Sequence, residues 1–325
     1  MNIEAYLSKL KIGEVAIQKK MLGGNSSVYK GILNDGTIIA VKKYRGDKQR
    51  IERMLSRERD AVDFLRKNGV SNIPELLEVR KDLGLIVFRW IEGIRPQSNH
   101  ESMNAILEMC TVLNEIYMNG SEFESAIDPG FSGLAIETQI RSRTRKLQTL
   151  YPFVWIEDIA NQISDRLRIY ESDPRKNIVF HQRTLSFSDL GIHNMIYCDG
   201  RFSFIDFEFF GTDSVNKLVG DFLLHPRNDF NKFEITRFIE FSNKIFKWRF
   251  EELEGFLPLL TLKWAIIAYG RTLRDLRQEL HDGRYNPEIM KSKGAMYLDY
   301  FDWLCLSENI EKFTTFRAFE GMVNR

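Results

Sequence analysis

The sequence predicts an α+β fold of two lobes, a small β-rich N-terminal lobe followed by a larger, mainly helical C-terminal lobe. Three observations carry this. Residues 15–90 alternate as β-hairpin, helix, β-hairpin. After Glu92-Gly93 the apolar period becomes helical. Between the helices lies one short apolar hairpin whose ends are crowded with oxygen-bearing side chains, Asp189, Asn194 and Asp206.

Taken in order, Val15 to Leu22 reads as a strand and leads through Gly23-Gly24-Asn25-Ser26-Ser27 into Val28 to Gly31. Asn34-Asp35-Gly36 then separates that run from Thr37 to Lys42, a strong hairpin signal. From Arg50 to Lys67 the period is helical, with Ile51, Met54, Leu55, Ala61, Val62 and Leu65 on one stripe. Two further strands, Leu76 to Arg80 and Leu85 to Trp90, flank a turn at Asp82 and Gly84. The boundary is expected near 89–93, with residues 1–92 as the N-terminal lobe and 93–325 as the C-terminal lobe. Helical patterns follow over Glu101 to Tyr117, Glu137 to Leu150, Ile156 to Tyr170 and Phe233 to Glu252, and again from Gly255 to Gly270 and Leu273 to Leu280.

Charge and composition exclude several classes. With 46 basic and 45 acidic residues the 325-residue chain has a formal net charge of +1, so no global field gathers nucleic acid or an anionic membrane. Hydrophobic residues at 43% and charged residues at 28% suit a globular chain with a real core. Cys110, Cys198 and Cys305 are too far apart for a disulfide framework or a zinc knuckle, which fits a reducing cytoplasm. The start, MNIEAYLSKLKIGE, lacks the apolar run of a secretory signal. The apolar stretch Gly255 to Gly270 is broken by Pro258 and Lys263 and reads as a core helix, not a membrane span. The expectation is a cytoplasmic protein.

Two charges stand out in the N-terminal lobe. Continuing the helix stripe from Met54 and Leu55 lands on Glu58, and an unpaired buried carboxylate would cost several kcal/mol. Glu58 therefore sits at the rim or meets a cation inside. Lys42, at the end of an apolar strand, is the candidate, although Lys43 beside it leaves the face open. Farther on, Met195 to Tyr197 and Phe202 to Ile205 flank the turn Cys198-Asp199-Gly200-Arg201, so hairpin geometry brings Asn194 beside Asp206. A carboxamide and a carboxylate make a hard-oxygen pair suited to Mg²⁺ when phosphates complete the shell.

These residues carry a resemblance. Asp189 with Asn194, four residues intervening, and then Ile205-Asp206-Phe207-Glu208 resemble the catalytic and metal loops of the protein-kinase-like fold, in the form found in the aminoglycoside phosphotransferase and choline kinase superfamily. LGGNSSVYKG resembles that superfamily's short phosphate-binding loop, IAVK its lysine strand, and Arg57-Glu58 its helix glutamate. The resemblance spans residues 15–225 and implies an ATP-dependent, Mg²⁺-requiring kinase that phosphorylates a hydroxyl of a small metabolite, sugar or aminoglycoside-like substrate. It implies that Gly23, Gly24, Asn25, Ser26 and Ser27 cover the phosphates and that Lys42, oriented by Glu58, holds them. Arg89 and Ile91 would meet adenine through their backbones, Asn194 and Asp206 would hold Mg²⁺, and Asp189 would be the catalytic base.

The chain also departs from the pattern. Where the family commonly carries histidine two residues before the catalytic aspartate, it has Phe187. This favours a competing expectation, a catalytically weak or inactive nucleotide-binding pseudokinase or scaffold. A protein kinase is disfavoured because KLVGDFLL follows Asp206 too soon for a long activation segment. His181 and His225 read as structural, His193 as a loop histidine or a phosphate contact, and Glu208 as a metal or loop residue. Asp221 resembles the family's helix aspartate that braces the catalytic loop. For the acceptor, an acidic stretch (Glu122, Glu124, Asp128) and a basic one (Arg141 to Lys146) leave the sign of the cleft open.

Overall fold

The computed structural model describes residues 15–22, 26–151, 154–171, 179–248, 251–276 and 287–305. Among these, two compact units are distinguished: residues up to Gln97 together with Ile192–Gly211, and Ser98–Gly191 together with the segments from Thr212 onward. The hairpin near residue 200, which the sequence reading assigned to the helical lobe, thus belongs with the N-terminal sheet.

The first unit is built on a five-stranded antiparallel sheet: β1 (Val15–Leu22), β2 (Ser26–Leu33), β3 (Ile38–Tyr44), β4 (Leu76–Arg80) and β5 (Leu85–Arg89), in the order β1-β2-β3-β5-β4. One face is apolar, with Tyr29, Leu33, Ile39, Val41, Leu85 and Val87 packed together. The strand period of two then sends Lys42 and Tyr44 to the opposite face. There helix α1 (Lys48–Lys67), capped by the Asp47 side chain on the Arg50 amide, buries Met54, Leu55, Glu58, Ala61, Val62 and Leu65. The hairpin of β7 (Met195–Cys198) and β8 (Arg201–Phe204) joins this unit through Ile94, which exchanges both backbone hydrogen bonds with Tyr197, and through the Phe204 amide on the Asn72 carbonyl. Asp199 (φ 46°) and Gly200 (φ 78°) form its two-residue turn, both left-handed, as the twist of a tight hairpin requires.

The second unit is helical. Helices α2 (His100–Met118), α3 (Gly133–Leu150) and α4 (Val154–Glu171) precede strand β6 (Arg183–Ser186), which pairs with β9 (Gly211–Ser214). Then follow α5 (Val215–Leu224), α6 (Lys232–Phe246), the single turn α7 (Glu251–Glu254), α8 (Leu257–Leu276) and α9 (Pro287–Cys305). The pattern read as one helix over Phe233 to Glu252 ends at Phe246, where Lys247 turns left-handed at φ 50°. The expected core helix in Gly255 to Gly270 is the body of α8, whose Leu259, Leu260, Leu262 and Ala265 are fully buried. Among the described residues no helix is long and apolar enough to cross a membrane. Strands β6 and β9, each four residues long, and helix α9 were not anticipated.

Candidate active site

In the first unit the sequence's two isolated charges meet. Lys42 Nζ lies 2.9 Å from Glu58 Oε2, 2.6 Å from Asp206 Oδ1 and 3.1 Å from Glu208 Oε2, and Lys42, Glu58 and Glu208 are all buried. The Tyr44 hydroxyl donates to Glu58 Oε2, and the Phe207 amide donates to Glu58 Oε1 at 3.3 Å. Burial by itself would lower the Lys42 pKa, but the combined fields of Asp206, Glu208 and Glu58 hold it well above the ordinary lysine value. Burial also raises the Tyr44 phenol, with Glu58 adding to it. Glu208 was read as a metal or loop residue beside Asp206, and Tyr44 was not singled out. The signal for Tyr44 was its spacing of two from Lys42 on one strand.

Asp206 follows β8 by two residues and takes φ 72°, a left-handed conformation that costs a non-glycine residue about 1–3 kcal/mol. Its Glu58 and Glu208 neighbours offer carboxylate oxygens all within 4.8 Å of one another. Three carboxylates around one ammonium leave two negative charges in excess, and the donors are all hard oxygens, so the set fits a divalent ion such as Mg²⁺. Asn194 ends a 3₁₀ turn before β7, is buried, and accepts the Ile205 amide on its carbonyl at 2.9 Å, which places it across the hairpin from Asp206.

Other expected contacts are distributed differently. Ser26 and Ser27 open β2, both buried, and Arg45 donates to Ser27 Oγ at 2.7 Å. Gly23, Gly24 and Asn25 lie outside the described residues. The Arg89 amide is spent on the Glu75 carbonyl at 2.8 Å, and the Trp90 amide on Ile38 at 3.0 Å. Of the two residues expected to meet adenine, Arg89 thus has its backbone amide already engaged.

In the second unit Asp189 closes a tight turn after β6. Ser188 takes φ 56° and donates its amide to Ser186 Oγ at 3.0 Å. Asp189 Oδ1 is 3.2 Å from His225 Nε2. Beneath the turn runs a buried chain of charges. Asp213 accepts from the Gly130 amide at 2.7 Å and the Ser214 amide at 2.8 Å, and Ser188 Oγ reaches its other oxygen at 3.5 Å. Lys217 bridges Asp213 and Asp221, at 2.9 Å each, and Trp264 Nε1 donates to Asp221 at 3.0 Å. Asp213, not Asp221, is thus the acid that touches the loop. The reading missed it although Asp213, Lys217 and Asp221 recur every four residues.

Two of the four cations in the basic stretch of α3 are held in ion pairs. Arg141 pairs with Glu137 and Glu171, and Arg143 with Asp128.

No protein-family model and no curated protein sequence matches the chain. Solved structures do. A choline kinase from Streptococcus pneumoniae superimposes with a TM-score of 0.59 at 17% identity, over 92% of this chain and 98% of the other. A spectinomycin phosphotransferase in complex with ADP and spectinomycin gives 0.58 at 11% identity, over 93% and 97%. An aminoglycoside phosphotransferase in ternary complex with streptomycin and ATP gives 0.54 at 17%, over 89% and 97%.

Proposed function

We propose that this chain, whose fold is that of the choline kinases and aminoglycoside phosphotransferases, is an ATP-dependent phosphotransferase acting on a hydroxyl of a small metabolite, sugar or aminoglycoside-like substrate. The observation that carries the reading is Lys42, a buried ammonium held among Glu58, Asp206 and Glu208. A lysine so placed is wasted on stability, because a well-packed apolar cluster would serve as well. It is suited to the α- and β-phosphates of a nucleotide.

Asp206 and Asn194, with Glu208 beside them, would hold Mg²⁺, which neutralises phosphate charge when bound. Backbone from Gly23 to Ser27 would cover the phosphates, and Ile91 would donate to adenine. Asp189 would accept the proton of the substrate hydroxyl as its oxygen bonds to the γ-phosphorus. The bond from that phosphorus to the β–γ bridging oxygen breaks, and ADP leaves with the electron pair. Positioning and charge neutralisation supply most of the acceleration in such transfers. The reading carries with it a cytoplasmic setting, where ATP is at hand.

The test begins with calorimetric titration of ATP in the presence of Mg²⁺ and then of EDTA, followed by a screen of sugars and amino alcohols as acceptors. Metal-dependent binding with turnover that Asp189→Asn abolishes while nucleotide still binds supports the assignment. Full turnover in Asp189→Asn would sink it. The second reading, a nucleotide-binding pseudokinase, is favoured by one observation, the buried Phe187 at the loop position where the related motif has histidine. Binding without turnover on any acceptor, water included, selects it.

A further inference from the structure

We infer that His225 is the positioning residue of Asp189, supplying from the end of α5 an imidazole donor where the position two residues before Asp189 holds Phe187. The inference rests on the reading of Asp189 as the base.

The ring is held in one orientation and one tautomer. The Arg227 amide donates to His225 Nδ1 at 3.1 Å, so that nitrogen carries a lone pair, and the proton of the neutral ring resides on Nε2. Nε2 lies 3.2 Å from Asp189 Oδ1. His225 therefore donates to the carboxylate. Its side chain is 7% exposed, against 27% for Asp189, so the donor comes from the buried side.

Trp264 and the flanking backbone, on two sides of the ring, are themselves anchored, and a ring nitrogen of His193 lies within 4.8 Å of both partners. Trp264 meets it edge-on, at 5.1 Å and 86° between planes, while its own Nε1 is fixed on Asp221. Trp264 stacks on Tyr297, whose hydroxyl donates at 2.6 Å to the carbonyl of Leu224, the residue before the histidine. On the backbone side, Asn228 Nδ2 donates to Leu190 at 3.1 Å and Phe222 at 3.0 Å, tying the residue after Asp189 to the last turn of α5. Two backbones clamped by one amide cannot drift apart, so the imidazole and the carboxylate keep their spacing.

With Oδ1 engaged by Nε2–H, rotation of the carboxylate is restrained. Phe187 could not do this. Its position is buried and apolar, and the donor comes from the helix end.

The experiment uses the full chain with MgATP as phosphoryl donor and water as acceptor, reading ADP release, together with side-chain ¹⁵N and ¹³C resonances of labelled histidine. His225→Phe keeps a ring against Trp264 but no donor. His225→Gln puts an amide N–H near the place of Nε2, whereas His225→Asn reaches only that of Nδ1. The expected result is a drop in kcat of about tenfold to hundredfold in His225→Phe and His225→Asn, with KM for ATP unchanged and most of the rate regained in His225→Gln. In the spectra, wild-type His225 is expected as the Nε2–H tautomer, with its exchange faster in Asp189→Ala. A His225→Phe rate within twofold of wild type, equal losses in all three variants, or an Nδ1–H tautomer overturns the inference. If Asp189→Asn turns over like wild type, it is the phosphotransfer reading that fails, while the resonances still decide the pair. The resonances decide it too if no turnover is detected in wild type.

Discussion

Lys42 shows how much one buried charge can require of its surroundings. Its three carboxylate neighbours compensate it, and it compensates them, so removal of the cation strands acids inside the sheet. Lys42→Met is expected to destabilise the fold by about 3–5 kcal/mol, read from urea unfolding midpoints, and to abolish ATP binding. Glu58→Gln keeps the volume and the Tyr44 contact and is expected to weaken ATP binding with a far smaller loss of stability. Lys263 is the opposite case. Burial, helped by the field of Lys217, pushes its pKa down from 10.5 to about 8, and Asp221 and Asp128 only partly offset this. Because the folded value lies below the unfolded one, its penalty is complete below pH 8 and fades as the pH rises toward 10.5. Lys263→Met should therefore stabilise the protein by about 2–3 kcal/mol at neutral pH, with the gap closing across that window when melting midpoints are compared.

At the level of elements, close packing depends on glycines, Gly220 and Gly93 among them. A Cβ on Gly220 in α5 would meet Leu260 Cδ1 of α8 at 2.3 Å, so the two helices approach where no larger side chain fits. Gly220→Ala should cost about 1–3 kcal/mol as overpacking and, by tilting α5, should also disturb the Asp213-Lys217-Asp221 ladder below the Ser188-Asp189 turn. The check is whether turnover falls along with the melting temperature. Gly93, at φ 136°, would place a Cβ 2.4 Å from the Tyr197 carbonyl, beside the point where Ile94 pairs with the hairpin that Asn194 and Asp206 flank. The sequence marked this glycine only as the end of the sheet lobe. Its requirement comes from a strand 100 residues downstream, which no local window contains.

For the whole molecule, a ligand that binds only the native state raises its melting temperature by mass action. MgATP at 100 times its dissociation constant should stabilise by about 2.7 kcal/mol. The shift should vanish with EDTA, and in Asp206→Asn with Asn194→Ala, while Asp189→Asn keeps it. A shift indifferent to metal would argue against the assigned carboxylates.

The two-lobe α+β class, the order of the sheet strands along the chain, the helix bearing Glu58 and the hairpin between Asn194 and Asp206 were all legible from local pattern. Periods of 2 and 3.6 residues and turn chemistry are properties of neighbours in the chain. The face of Lys42 was ambiguous in the window that contained it, and Ile39 and Val41, packed on the other side, resolved it. The partners of Asp213 and of His225, the latter read only as a structural histidine, were illegible for a different reason. Those partners, Ser188 and Asp189, lie 25 and 36 residues away, and nothing in either segment encodes the distance to the other. Short strands such as β6 and β9 are likewise too brief to show a period and exist because they pair. Composition and spacing are local and survive in one dimension. Which carboxylate meets which cation is decided by burial, where an unpaired charge costs several kcal/mol and only the folded chain can supply the partner.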